Sequence, residues 1–423
     1  MPPERKTSSR RAVLAGGGAI AVAGLGVLAL RPAETGGGHD AYFAALAAAL
    51  RRAGLMHPVL VIDRQRLDAN VRAIRASVDS AKLPLRVVVK SLPAPRLIEH
   101  VLNGMGSRRM MVFSAEMLLQ LLPLYADADM LMGKPLPAAE FARVIDKAGP
   151  QAAARPQWLI DTPQRLSEYA AIAKAHGVPL QASFELDVGL HRGGFPDATA
   201  LAPALAFARD NSVRIAGLMG YDPHVPKMPL PDRAYAASQA AYRAAIDAVR
   251  HVVGNAAPLT LNGAGSPTFR RHCKGTVANE VSVGSAFVKP GTFDYSDLAD
   301  LAPAAFIASP VIKAVADMRL PGVEPLSGLM HWFDRNSQRG FFMHGGHWLA
   351  QPVSPPGLSY SGLFGRSSNQ ELLLGSARTN LRPDDHVFLR PDQSEALFLQ
   401  FGDIAVFDGH TITETWSTLP ISA

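Results

Sequence analysis

A chain of 423 residues, 48% hydrophobic and 18% charged, has the material for a large core plus a second domain and does not read as disordered. Its net charge of +6 comes from scattered basic residues, with no Lys/Arg block and no aromatic interleaving, which argues against nucleic acid as a partner. The lone cysteine, Cys273, excludes an intramolecular disulfide and a thiolate metal cluster.

Residues 1–35 read as a targeting segment rather than as fold. Ser8-Ser9-Arg10-Arg11 precedes an uncharged run, Ala12 to Leu30, whose five glycines make it weakly hydrophobic. The paired arginines resemble a twin-arginine export signal, which predicts a periplasmic protein exported already folded. An uncleaved signal would leave a membrane anchor, the one membrane contact the sequence offers.

Residues 36–84 form an N-terminal segment expected to pack on the barrel and β domain that follow. It holds a helix at Asp40–Ala53, a strand at Val59–Asp63, and a helix at Arg66–Val78 with Leu67, Val71, Ile74 and Val78 on one face. From residue 85 to 295 short apolar strands alternate with helical stretches. The strands are Arg86–Lys90, Met110–Phe113, Met130–Met132, Trp158–Asp161, Ser183–Asp187, Ile215–Tyr221, Leu259–Asn262 and Val281–Ala286. Eight βα units predict an α/β fold built as a closed (β/α)8 barrel. A doubly wound open sheet would call for a Gly-rich fingerprint after its first strand, and there is none. Residues 296–423 change texture. Short alternating strands at Val311–Ala316, Gly340–Met343, His386–Leu389, Leu397–Phe401 and Ile404–Phe407 predict a C-terminal antiparallel β domain.

In such a barrel the chemistry sits where strands end. The first strand, Val87-Val88-Val89, closes on Lys90 and is then stopped by Ser91, Pro93 and Pro95. Alone, that lysine reads as a surface residue at a strand end. Partly desolvated at a barrel mouth, it would be a nucleophile for aldehydes. The seventh strand ends in Asn262-Gly263-Ala264-Gly265-Ser266-Pro267-Thr268, and the eighth in Val283-Gly284-Ser285. Small residues with hydroxyl and backbone N–H donors after these two strands are a recurring phosphate site of barrels. The fifth strand ends in ELDVGLHRGG, which sets Arg192 among glycines, able to hold a carboxylate, a phenolate oxygen or a ring nitrogen. The sixth ends in Gly220-Tyr221-Asp222-Pro223-His224, where Tyr221 can stack or hydrogen-bond and His224 can move a proton near neutral pH.

These strand-end motifs, in this order, resemble the alanine-racemase-fold enzymes that use pyridoxal phosphate, above all their D-threonine aldolase and D-serine dehydratase-like branch. The resemblance spans about Val59 to Asp294. It implies that Lys90 is joined to the aldehyde of pyridoxal phosphate. It implies that Gly263, Ala264, Gly265, Ser266, Gly284 and Ser285 surround the phosphate, and that Arg192, Tyr221 and His224 face cofactor or substrate. It also implies a homodimer. The reaction expected first is retro-aldol cleavage or dehydration of a β-hydroxy D-amino acid, with Lys90, His224 and Tyr221 as catalytic residues. Racemisation is the alternative; Tyr360 resembles the racemases' second base but lies too far into the β domain to correspond. A non-catalytic pyridoxal phosphate-binding protein is the alternative of another class. The branch carries a metal-binding His followed two residues later by Cys or Asp. Here the region Asp385–Glu395 offers His386 with Phe388 in the second place, and His344 and His347 form a pair without a clear third ligand. A divalent metal is therefore left open.

Overall fold

The computed structural model describes residues 31–255 and 258–420. The export segment up to Leu30 lies outside the described residues. Among those described, no helix is long and apolar enough to cross a membrane.

The chain divides into two compact units. The larger takes residues 48–308, 348–351 and 390–420 of the described chain, the smaller residues 31–47, 309–347 and 352–389.

The larger unit is built on eight parallel strands: Leu85–Val88, Arg109–Val112, Asp129–Met132, Trp158–Ile160, Gln181–Leu186, Arg214–Gly220, Thr260–Gly263 and Glu280–Val283. Each pairs with its neighbour in sequence except the third with the fourth, and the first also pairs with the eighth through Leu85–Val281 and Val87–Val283. The circle closes between the third and fourth strands at Gln157, which bridges Leu131 and exchanges backbone hydrogen bonds with Met130 and Met132. The fold is therefore the predicted (β/α)8 barrel. Its αβ rhythm was readable because the strands are apolar and the helices begin on side-chain caps. Ser114, Thr162 and Asp197 accept hydrogen bonds from Met117, Arg165 and Ala200 at the starts of three barrel helices.

The strand Val59–Asp63 joins this unit as a satellite sheet. It runs antiparallel to residues 305–308 and parallel to Ile404–Phe407, which in turn pairs with Ile412–Trp416. Asp63 then caps the helix Arg64–Ser80, whose Leu67, Val71, Ile74 and Val78 are buried as their spacing predicts.

The smaller unit is an antiparallel sheet, with residues 311–315 paired to Arg339–His344, that strand to Gln370–Gly375, and the last to Ser359–Tyr360.

Three expectations need correction. The first barrel strand stops at Val88, two residues early, and Val89–Ser91 is a 3-10 turn. Pro93 and Pro95 end the extended run sooner than the valines alone would. The segment expected as a strand at Leu397–Phe401 instead opens with a short helix, Glu395–Phe398. The late part of the chain also keeps a helix, Ser327–Phe333, where none was expected.

Candidate active site

The strand ends of the barrel enclose a cavity of about 270 Å³. The 3-10 turn carries Lys90 over its rim. The Lys90 ammonium lies 2.8 Å from a carboxylate oxygen of Glu395 and 4.5 Å from the centre of the Phe113 ring. Gly133 has no side chain because a Cβ there would run into that ring.

One wall consists of the turns after the seventh and eighth strands. Ala264, at φ 65°, holds a left-handed conformation that costs an alanine about 1 kcal/mol. This bend carries Gly265 and Ser266 to the cavity wall. The Ser266 hydroxyl oxygen accepts hydrogen bonds from the backbone N–H groups of Gly284 (3.1 Å) and Ala286 (3.0 Å). A Cβ on Gly265 would strike the Tyr221 ring, and one on Gly284 would lie 2.8 Å from both Ser91 Oγ and Val88 Cβ. Both positions must be glycine for the wall to close this tightly.

Behind that wall lies a buried network. Asp222 accepts a 2.6 Å hydrogen bond from Thr268 Oγ1 and sits 3.0 Å from His272 Nε2, whose Nδ1 is 2.8 Å from Thr276 Oγ1. Thr268, read as a hydroxyl donor for an anion, is thus fully buried and engaged with Asp222. Its hydroxyl fixes the loop.

Against Gly265 lies the adjoining wall, Arg192 and Tyr221. The guanidinium stacks 5.1 Å from the centre of the tyrosine ring. Burial pushes the Tyr221 phenol up to about 12, although Arg192 pulls the other way. Asp187 shapes the loop that presents Arg192, accepting from the backbone N–H groups of Gly189 and His191 and pairing with the His191 ring. Burial alone would push the Asp187 carboxyl up, but these hydrogen bonds hold it below the usual range. Glu185 shows the reverse balance. Its burial wins, and its pKa is raised despite Arg192.

Of the residues singled out in the sequence, Lys90, Arg192, Tyr221, Ala264, Gly265, Ser266, Gly284 and Ser285 line this cavity. Gly263 and His224 are not among its lining residues. Gly263 lies against His272, whose ring carbon would be 3.0 Å from a Cβ there. His224 lies beneath the fifth-strand loop, where a Cβ on Gly189 would come within 3.1 Å of its Nε2. Gly263 was expected at the phosphate and His224 at the cofactor or substrate; the structure brings neither to the cavity lining. Ser91, Asn262, Ser282 and Glu395 line the cavity and were not singled out. Glu395 had a signal, since Ser394-Glu395 ahead of Ala-Leu-Phe is a helix start.

His344, His347 and Tyr360 belong to the smaller unit. Both histidines are exposed, His347 donates its backbone N–H to Glu371, and the Tyr360 ring lies under Arg366. Among the described residues no group of three His, Cys, Asp or Glu side chains could hold a metal ion.

The model of the alanine racemase N-terminal domain family matches residues 62–290, more than half of the chain. Three solved structures show the same fold. D-threo-3-hydroxyaspartate dehydratase from Delftia sp. HT23 is 16% identical with a TM-score of 0.68, covering 86% of this chain and 97% of that one. D-threonine aldolase from Filomicrobium marinum is 18% identical with a TM-score of 0.67, over 86% and 96%. An alanine racemase-like protein from Idiomarina loihiensis is 14% identical with a TM-score of 0.64, over 86% and 97%. No curated protein matches the sequence. On the family match, this chain belongs to the alanine racemase N-terminal domain family.

Proposed function

We propose that this chain is a pyridoxal phosphate-dependent enzyme acting on D-amino acids, cleaving or dehydrating a β-hydroxy D-amino acid. The observation that carries the reading is a lysine amine on the rim of a cavity walled by the small, hydroxyl-bearing turns after the seventh and eighth strands. The residues present fit the cofactor. Ser266 and Ser285 bring hydroxyls to the cavity wall, and Gly265 and Gly284 leave the space that side chains would fill. When bound, the cofactor supplies an aldehyde for amines and an electron-accepting ring that weakens bonds at a substrate's Cα.

This chain's own groups supply the rest. Lys90 offers the amine. Arg192, 5.1 Å over the Tyr221 ring, can orient a carboxylate or phenolate oxygen. Tyr221 keeps its proton and acts as a donor. The Phe113 and Phe293 rings give the cavity an apolar flank. The choice of a β-hydroxyl substrate draws on two structural relatives, named for D-threo-3-hydroxyaspartate dehydration and D-threonine aldol chemistry. The family's own name keeps racemisation as the second reading.

The test is a panel of D- and L-amino acids on the loaded protein, with and without added divalent metal, reading aldehyde, ammonia and enantiomer. Aldehyde or ammonia from D-threonine or D-serine is expected. Racemised D-alanine with neither product would favour the racemase. Borohydride should fix the cofactor on Lys90; label on another lysine would end the reading.

The proposal extends to export and assembly. Replacing Arg10 and Arg11 by lysine should leave the protein in the cytoplasm. Light scattering should find a homodimer, and a fully active monomer would refute it.

A further inference from the structure

Four side chains on the cavity wall can carry charge: Lys90, Arg192, Tyr221 and Glu395. Arginine does not release its proton in a protein. The Tyr221 phenol, pushed up by burial, stays protonated at neutral pH. That leaves the lysine and the glutamate to exchange protons inside the cavity, and they are already in contact at 2.8 Å. Resting on the proposed function and deepening it, we infer that Glu395 is a catalytic proton carrier that works as a pair with Lys90.

The contact is not needed for stability. Lys90 and Glu395 are 31% and 42% exposed, and pairs so open to water are worth little. Its geometry is nevertheless fixed. Three buried hydroxyls form a chain, Ser91 Oγ to Ser285 Oγ at 3.1 Å and Ser285 Oγ to Ser394 Oγ at 3.1 Å. Each serine adjoins a residue of the site: Lys90, Gly284 and Glu395. The chain therefore ties the first-strand turn, the eighth-strand turn and the helix Glu395–Phe398 into one frame. Within it the Glu395 carboxylate takes the proton that the Lys90 nitrogen gives up as that nitrogen bonds to a carbonyl carbon: one N–H bond breaks, one O–H bond forms, and nothing is oxidised or reduced. The carboxylic acid so formed delivers that proton to a leaving hydroxyl or a carbanion at the cavity rim.

The test compares wild type, Glu395→Gln and Glu395→Asp as full chains. In the cofactor-free proteins, acylation of Lys90 by acetic anhydride, read by peptide mass spectrometry, should be about 2–5-fold faster in Glu395→Gln, because the ammonium has lost its anion. In the loaded proteins, Glu395→Gln should take up the same amount of pyridoxal phosphate. Its kcat should fall by ~10²–10⁴-fold with KM little changed, and Glu395→Asp should recover part of the loss. Unchanged Lys90 acylation, or a Glu395→Gln kcat within about threefold of wild type, overturns the inference. If wild type takes up no pyridoxal phosphate, the proposed function fails instead, while the acylation rates still report on the pair.

Discussion

Arg86 and Lys90 lie four residues apart on the same stretch of chain, and the barrel treats their charges in opposite ways. Arg86, wholly buried between strands, bonds Glu280 at 2.6 and 3.1 Å, both carboxylate oxygens of Asp129, and the carbonyl oxygens of Met110 and Asp129. Burial works against its charge, yet Glu280 and Asp129 more than compensate and its pKa is raised. Glu280 is shared further, with Asn262 and Arg109. Lys90 is a third exposed and pairs with Glu395 across an open cavity rim. The buried guanidinium has its donors committed to fixed partners and cannot react. The lysine keeps donors and an approach path. Conservation of strand geometry and supply of chemistry are thus separated along one strand, as barrels generally separate them between their two faces.

The comparison is broken or upheld most directly by stability. Arg86→Met leaves Glu280 buried with Asn262 and the more distant Arg109, and removing one partner of such a network costs about 3–5 kcal/mol. Lys90→Ala removes only a half-exposed pair and should cost no more than about 1 kcal/mol. Urea unfolding of the two variants reads the difference. Equal losses would mean that the mouth, too, is held by its charges.

A second substitution sharpens the mouth's side of the comparison. Gly265→Ala drives a methyl into the Tyr221 ring, an overpacking worth about 1–3 kcal/mol. Because the ring can move only by shifting its stack with Arg192, much of that cost should appear as weaker pyridoxal phosphate binding, roughly tenfold by absorbance titration. Binding as tight as wild type would place the cofactor away from this wall. The effect of His224→Gln should be smaller still. With the imidazole under the fifth-strand loop, kcat should stay well above the ~10²-fold loss expected of a positioned acid–base.

The contrast also explains what could be read in advance. The eight strands were legible because they are short apolar runs separated by helical stretches, three of which open on side-chain caps, and these signals are local. The wall from Ala264 to Ser266 and Gly284 was legible because small residues with donors cluster at strand ends. Glu395 was not picked out: its helix-start signal says nothing of a partner 305 positions earlier, and the residues just after it were read as a strand. The Arg86 network escaped for the same reason. An arginine inside an apolar run gives no sign of the carboxylates that three-dimensional closure brings to it from the third and eighth strands. The orientation of His224 under the fifth-strand loop was not legible either, since its place in the chain, three residues past a strand, does not determine which way the ring turns.

The smallest effect concerns Glu185, at the end of the fifth strand. Burial raises its pKa, and Arg192, Asp161 and Asp187 only partly cancel among themselves. The unfolded chain, whose glutamate titrates at an ordinary value, releases this proton first as pH rises. The contribution of Glu185 to stability is therefore fully present below the ordinary glutamate range and is lost as pH rises through the higher folded value. At neutral pH the charge is a liability, so Glu185→Gln should stabilise the protein there, by less than about 1 kcal/mol. The gain should shrink as pH falls through the glutamate range, since the wild-type carboxyl is then protonated in both states. Unfolding midpoints at pH 7 and near pH 4 check the sign. A variant less stable than wild type at pH 7 would mean that the Glu185 carboxylate is held by Arg192 more strongly than burial penalises it. Glu185 would then belong with Arg86 among the committed charges rather than with Lys90 among the available ones.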